Sequence, residues 1–409
     1  MACKGANMSE REPDFKASAS ALGYVYQLRE ALHLCVSRLG TLDWALAIEA
    51  GDDIEEIRRD GRTYYQLKHR SPGTRMTNAS VDLWKTLRIW CHAIAHGQID
   101  LDETDLILLT TAELPRETVG SMLQSEDSRQ RDEQRALEGL KSTRRTSKSD
   151  ELAKAFAAFD LLTDAQLERM VSKIQVIGDA PDVVAVEQKL RQTAVAVVGR
   201  EHATSFLVRL EGWFFRRAIQ QLLAGSLDAI TGLDFDAAFS DLRNQFGRAN
   251  LPIDEDIAEM QADLAKYARQ PFVQQLELIE LGSNRVNKAV RDYMRAFSQR
   301  SRWLKENLLL PKEISRYERR LTEEWEDLFD EMVDALGAEV AETEKIAAAR
   351  SIYRWAMTEA RWRIRPECDE PFVAKGSFHI LADEYKIGWH MDFVARLMAV
   401  LEPAETTSA

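Results

Sequence analysis

The stretch DDIEEIRRDGRTYYQLKH, residues 52–69, constrains the fold more than any other part of the chain. Two runs with alternating apolar and polar residues flank Asp60-Gly61, a strong two-residue turn signal. The spacing predicts a hairpin closed at Asp60-Gly61, with Lys68 opposite Asp53 and Gln66 opposite Glu55. Opposed residues share a face, and faces alternate along a strand. Asp53, Glu55, Gln66 and Lys68 are therefore expected on one face, with Ile54 and Leu67 on the other, toward the core. Glu49 lies at the neighbouring edge, just before Gly51.

Two or three carboxylates beside a lysine suit metal-assisted phosphodiester hydrolysis. Hard Mg²⁺ prefers carboxylate and carbonyl oxygen and keeps several waters. Such an ion lowers the pKa of water and neutralises charge on the attacked phosphate. The lysine orients that water or stabilises the pentavalent state. The Leu67 carbonyl offers one more ligand. The plain alternative is an exposed hairpin with cross-strand ion pairs, worth little in water. E-x-K recurs at Glu187–Lys189 and Glu384–Lys386, so the short pattern alone is not specific.

Around the hairpin the chain reads as α/β. Residues 18–38 repeat apolar positions at helical spacing, and TLDWALAIEAG reads as a strand. SPGTRMTN (71–78) is a loop signal, and Asn78 or Ser80 can cap a helix through VDLWKTLRIWCHAIAH. DLILLTT (105–111) reads as a buried strand and KIQVIG (173–178) as another. Residues 115–172 look helical, broken by a basic, loop-like KSTRRTSKS (141–149). After residue 200 the patterns turn to long amphipathic helices. The expected division is a flexible tail at 1–17, an α/β domain at 18–200 and a mostly α-helical domain at 201–409.

Bulk properties narrow the class. The 409 residues carry a formal charge of −13, which disfavours non-specific nucleic-acid binding and confines any DNA surface to a local patch. No apolar run is long enough for a membrane span, and the N-terminus lacks an apolar signal core. The four cysteines form no C-x-x-C, which points to a reducing, cytoplasmic setting. No G-x-x-x-x-G-K-[ST] is present, so any ATP chemistry falls to a partner. His92 and His96 stand at helical i, i+4 without a third ligand, and read as structural or surface histidines. Cys35, Cys91, Trp84, Trp90, Trp389 and His390 read as packing residues.

Read together, GYVYQLREAL, IEAGDDIEE, YYQLKHRS and DLWKTLRIW resemble the double-stranded DNA endonuclease domain of bacterial anti-phage effectors. That domain is restriction-endonuclease-like, of the PD-(D/E)xK group in its Mrr-like D…QxK version. It occurs in CBASS effector nucleases and in nucleases encoded beside HerA-type or SMC-like ATPases. The resemblance spans roughly 18–190 and is sharpest over 22–90. It implies Asp53 as the metal-binding acid, Gln66 and Lys68 as the QxK, Glu49 as a second acid, and Gln27 as a helix-one contributor. The implied metal is Mg²⁺ or Mn²⁺, held by Asp53, Gln66, Glu49 and the Leu67 carbonyl. Gln66 stands where the usual pattern has an acid, so a neutral amide replaces a charged ligand.

Beyond residue 200, EGWFFRRAIQQL, NLPID, FVQQLELIELGSNRVNKAVRDYMRAFSQRSRWL and GSFHILADEYKIGWHMDF resemble the helical C-terminal region of ATPase-linked nucleases and three-component ABC defence proteins, which implies an assembly or regulatory role for 201–409. His69, Arg70, Lys141, Arg144 and Arg145 are the expected DNA contacts. The expectation is a DNA endonuclease in phage defence, working with a HerA-type or SMC-like ATPase as a homo-oligomer. The competing expectation is a catalytically silent scaffold or DNA-binding subunit that organises the ATPase. A small-molecule sensor ranks last, since no phosphate-cradling motif supports it.

Overall fold

The structure, a computed structural model, describes residues 15–49, 52–225, 228–337, 340–360 and 362–401. Of the tail expected over 1–17, residues 1–14 lie outside the described residues and 15–17 belong to the first helix. Contacts divide the chain into two compact units. One takes the residues up to 196 together with 207–240, and the other takes 197–206 and everything from 241.

The first unit is mixed α/β. Its elements are α1 (Phe15–Ser37), β1 (Trp44–Ile48), β2 (Ile54–Arg58), β3 (Gly61–Lys68), α2 (Val81–Ala95), β4 (Thr104–Thr110), α3 (Val119–Met122), α4 (Glu133–Thr146), α5 (Ala153–Phe159), α6 (Asp164–Lys173), β5 (Ile174–Ile177) and α7 (Val183–Val198). Then come α8 (Ala203–Ala224), β6 (Ile230–Thr231) and α9 (Gly232–Gln245). The six strands lie in the order β5-β4-β3-β2-β1-β6. β1, β2 and β3 form an antiparallel meander, and helical crossovers make β3, β4 and β5 parallel. β6 is a two-residue edge pairing with Ala45 and Leu46, too short to leave a periodic signal.

The hairpin forms with a corrected register. Arg58 pairs with Gly61, so the turn is Arg59-Asp60, and Glu55 faces Tyr64 rather than Gln66. Gly61 is needed inside the strand. A Cβ there would stand 2.7 Å from the Glu103 carbonyl, which accepts the Arg62 amide at 2.8 Å. The slip is two residues, so the same side chains still share a face, but both faces are covered: Glu55 and Gln66 are buried as well as Ile54 and Leu67. On one face Tyr64, Leu106, Leu108, Ile174 and Val176 pack with Trp84 and Trp90 of α2 and Phe156 of α5. KSTRR is a second correction: residues 141–145 are the last turns of α4, and the break comes only at Ser147. Leu137 and Leu140 bury one side of that helix and carry it past the polar run.

The second unit is helical: α10 (Glu255–Ala258), α11 (Leu264–Tyr267), α12 (Pro271–Leu278), α13 (Ser283–Lys305), α14 (Pro311–Leu336), α15 (Glu342–Thr358), α16 (Pro371–Asp383) and α17 (Phe393–Leu401). Its core holds Phe272, Val290, Trp303, Tyr317, Phe378 and Trp389. Gly376 lets α16 meet α13, since a Cβ there would lie 2.1 Å from the Asp292 carbonyl. Buried Gln275 donates to the Ala382 and Ile387 carbonyls at 2.8 and 3.2 Å and accepts the Trp389 amide at 3.3 Å. One side chain thus satisfies three main-chain groups.

His379 is fully buried against Phe272, Tyr353 and Trp389, and burial pushes its imidazole down to about 3. The folded chain keeps it neutral while the unfolded chain takes a proton below about pH 6.5. Its stabilisation is complete above that pH and declines as pH falls toward 3. Relative to wild type, His379→Leu is expected to gain about 2 kcal/mol between pH 7.5 and 5.0. Urea denaturation at the two pH values measures it.

Candidate active site

The β1–β2 connection and the end of β3 bring the predicted residues to one end of the sheet. β2 runs antiparallel to β3, so its start lies beside the end of β3 that carries Gln66 and Lys68. Glu49 closes the β1–β2 turn, its amide donating to the Asp53 carbonyl at 3.1 Å. Glu49 has φ +54, a left-handed conformation uncommon for a residue with a side chain. Buried Gln221 fixes the residue before it, accepting the Ile48 amide at 3.0 Å and donating to the Ile48 carbonyl at 3.3 Å.

Three oxygens converge on the Lys68 ammonium. Gln66 Oε1 lies 2.7 Å from Nζ, the Leu67 carbonyl 3.2 Å and Asp53 Oδ2 3.5 Å. Asp53 Oδ2 also accepts the Leu67 amide at 2.6 Å, which fixes the carboxylate. Gln27 of α1 hydrogen-bonds to Glu49. Burial raises the Glu49 carboxyl above its ordinary range and the Asp53 charge adds to this, while Gln27 and Lys68 pull it down. Among the described residues no three His, Cys, Asp or Glu side chains form a metal-binding group by themselves. The convergent set here mixes a carboxylate, an amide and a main-chain carbonyl.

Asp52 is the residue that sequence reasoning missed. It is buried, accepts Gln66 Nε2 on Oδ1 and accepts Trp90 Nε1 on Oδ2 at 2.6 Å. Both polar ends of the Gln66 amide are thereby used, the nitrogen on Asp52 and the oxygen on Lys68. Burial pushes the Asp52 carboxyl up to about 8, against the Trp90 hydrogen bond. The repeated Asp52-Asp53 was the available signal, but only the packing of α2 tells the inward acid from the outward one. Trp90, expected as core, also orients this acid.

The expected DNA contacts are scattered. The His69 ring lies on Tyr26, centroids 5.0 Å apart. Arg70 is held in a two-pronged ion pair with Asp82. Lys141 sits on Asp164, and Arg144 sits on Asp160 at 2.7 Å with its guanidinium over Phe156. Of that patch, Arg145 alone has no ion pair among the described residues. The patch is therefore largely neutralised by the start of α6 and the loop before it, which the sequence does not place beside α4. His92 and His96 stack on one another at 4.0 Å, and Cys35 and Cys91 are buried, as expected.

Residues 272–397 match the family model for C-terminal domain 7 of the ABC-three component (ABC-3C) systems, which is under a third of the 409-residue chain. The matched stretch runs from α12 into α17. It supports a defence-system context and a place within a multi-component system. No curated protein and no solved structure matches the chain. No helix among the described residues is long and apolar enough to cross a membrane.

Asp52→Ala leaves two buried donors without their acceptor. It is expected to destabilise the first unit by on the order of 2 kcal/mol or more, while Asp52→Asn, which keeps one acceptor, loses less. Urea denaturation of the two variants at a common pH measures the difference.

Proposed function

We propose that the chain is a metal-dependent double-stranded DNA endonuclease of the PD-(D/E)xK restriction-endonuclease-like type, acting as an effector in bacterial anti-phage defence. The observation that carries this reading is the convergence of Asp53, Gln66 and the Leu67 carbonyl around Lys68 at one end of the sheet. The donor set fits Mg²⁺ or Mn²⁺: every ligand is a hard oxygen, and the set already surrounds a cationic centre. Asp53, Gln66 and Leu67 would hold the ion, with Glu49 next to them. Bound there, it supplies charge neutralisation at the phosphate and lowers the pKa of attacking water.

The protein's own groups do the remaining work. The Lys68 ammonium, fixed by two oxygens of its own strand, would donate a hydrogen bond to a phosphate oxygen and stabilise the charge that develops there. Asp52 holds Gln66 by its amide nitrogen, so that the amide oxygen faces the Lys68 centre. Gln27 orients Glu49 beside Asp53.

The match to an ABC-three component domain favours an SMC-like, ABC-class ATPase over a HerA-type partner. In this reading the second unit serves assembly, including homo-oligomers. The neutral Gln66 favours a second reading, in which the sheet is a catalytically silent scaffold or DNA-binding subunit organising the ATPase.

The two readings separate in a plasmid assay with Mg²⁺, with and without EDTA and with the product of any adjacent ATPase gene. Wild type is expected to nick or linearise the plasmid, and Lys68→Ala to lose at least 100-fold, of the order expected for general acid–base or electrostatic groups. Cutting that is equal in the folded Lys68→Ala variant contradicts the nuclease site.

A further inference from the structure

The expected basic patch on α4 is largely neutralised, yet a different set of arginines in the first unit is not. Arg116, Arg129, Arg131 and Arg135 line a cleft of about 330 Å³, together with Glu117 and Asp132. Arg131 is structural: it donates to the Gln124 and Ile174 carbonyls at 2.7 and 3.1 Å and pairs with Glu133 at 2.9 Å. It ties this segment to the start of β5. Asp132 is committed as the cap of α4, accepting the Arg135 amide at 3.0 Å.

That leaves three guanidinium groups facing one acid. Arg116, Arg129 and Arg135 are exposed, and none makes an ion pair or side-chain hydrogen bond among the described residues. Arg59, Arg75, Arg88 and Arg145 also lack an ion pair among the described residues, but Arg116, Arg129 and Arg135 are gathered around one cleft. Nearby in the same unit Arg70, Lys141, Arg144, Arg169 and Lys173 each sit on a carboxylate. Three like charges held around a concave surface repel one another unless an anion joins them.

The cleft also has a defined place. Lys68 pairs with Thr110 in the parallel ladder, and the Thr111 amide donates to the Lys68 carbonyl at 3.1 Å. The chain leaves the sheet at that end and reaches Arg116 within six residues. Arg131 anchors the cleft at Ile174, the start of β5, which lies two strands from β3 and registers through Leu106 with Tyr64, four residues before Lys68.

We infer that Arg116, Arg129 and Arg135 form a binding site for the backbone phosphates of DNA, holding the duplex along the β5 edge of the sheet that carries Lys68. Guanidinium forks match phosphate oxygens in two-pronged pairs, and such pairs position a duplex without reading its sequence. The inference takes DNA as the partner, as proposed above, but concerns binding rather than cleavage.

The test uses the full chain carrying Lys68→Ala, in EDTA, with a labelled 30-base-pair duplex followed by anisotropy across a salt series. R116A/R129A/R135A is expected to weaken binding tenfold or more. It is also expected to reduce the slope of log K against log salt by about 2 to 3, near 0.9 for each phosphate that is no longer neutralised. K141A/R144A, whose charges are already paired, is expected to bind as the parent does. Circular dichroism melts confirm that the variants fold. Binding and slope unchanged in the triple variant overturn the inference. So does an equal loss in K141A/R144A, or absence of duplex binding by the parent. A site for free phosphate would instead give tight pyrophosphate binding lost in the triple variant with duplex affinity unaltered, which also overturns it. If the parent binds through the cleft but wild type never cuts plasmid, the nuclease reading fails and the cleft stands.

Discussion

The buried carboxylate of Asp52 accepts two donors, Gln66 Nε2 and Trp90 Nε1, and the arrangement at the end of the sheet depends on that contact. It ties the β1–β2 connection to β3 and to α2 at once. Moving an acid from water into such a place is unfavourable, and the raised Asp52 pKa reports that cost. The return is geometric. Gln66 is held at both polar ends, and its oxygen shares the Lys68 ammonium with the Leu67 carbonyl and Asp53. An amide that turned freely would present nitrogen to that centre half of the time.

Much of this was legible because strand chemistry is local. Asp53, Gln66, Leu67 and Lys68 came together as the pattern around DDIEEIRRDGRTYYQLKH implied, and α2, β4 and β5 lie within a residue or two of their expected bounds. The face survived a wrong turn because the slip was even: two residues along one strand return each side chain to the same side. The turn itself was misjudged because Asp60-Gly61 carries a strong local preference. The Glu103 carbonyl, far along the chain, needs Gly61 inside the ladder.

What was not legible depended on distant packing. Nothing in the sequence sets Gln221 against the backbone of Ile48, or assigns 207–240 to the unit that holds the sheet. KSTRR stands out in the sequence because its basic residues are contiguous with Ser and Thr, whereas Arg116, Arg129 and Arg135 are spread over about 20 positions and leave no local signal. Folding reversed the order. The dense patch found Asp160 and Asp164, while the scattered arginines gathered around one cleft. The assembly role of the helical unit is what its resemblance to defence-protein C-terminal regions implies, and the ABC-three component match over 272–397 bears on its system context rather than on chemistry.

The central claim is that the oxygen set around Lys68 holds a divalent cation. Titrating Mn²⁺ into the full chain by calorimetry, for wild type and Asp53→Asn, tests it most directly. The account predicts a saturable site in wild type that is lost or weakened at least tenfold when Asp53 becomes neutral, with Gln66→Ala weakened as well. Mn²⁺ binding that is absent from the folded wild type, or that survives Asp53→Asn unchanged, contradicts it.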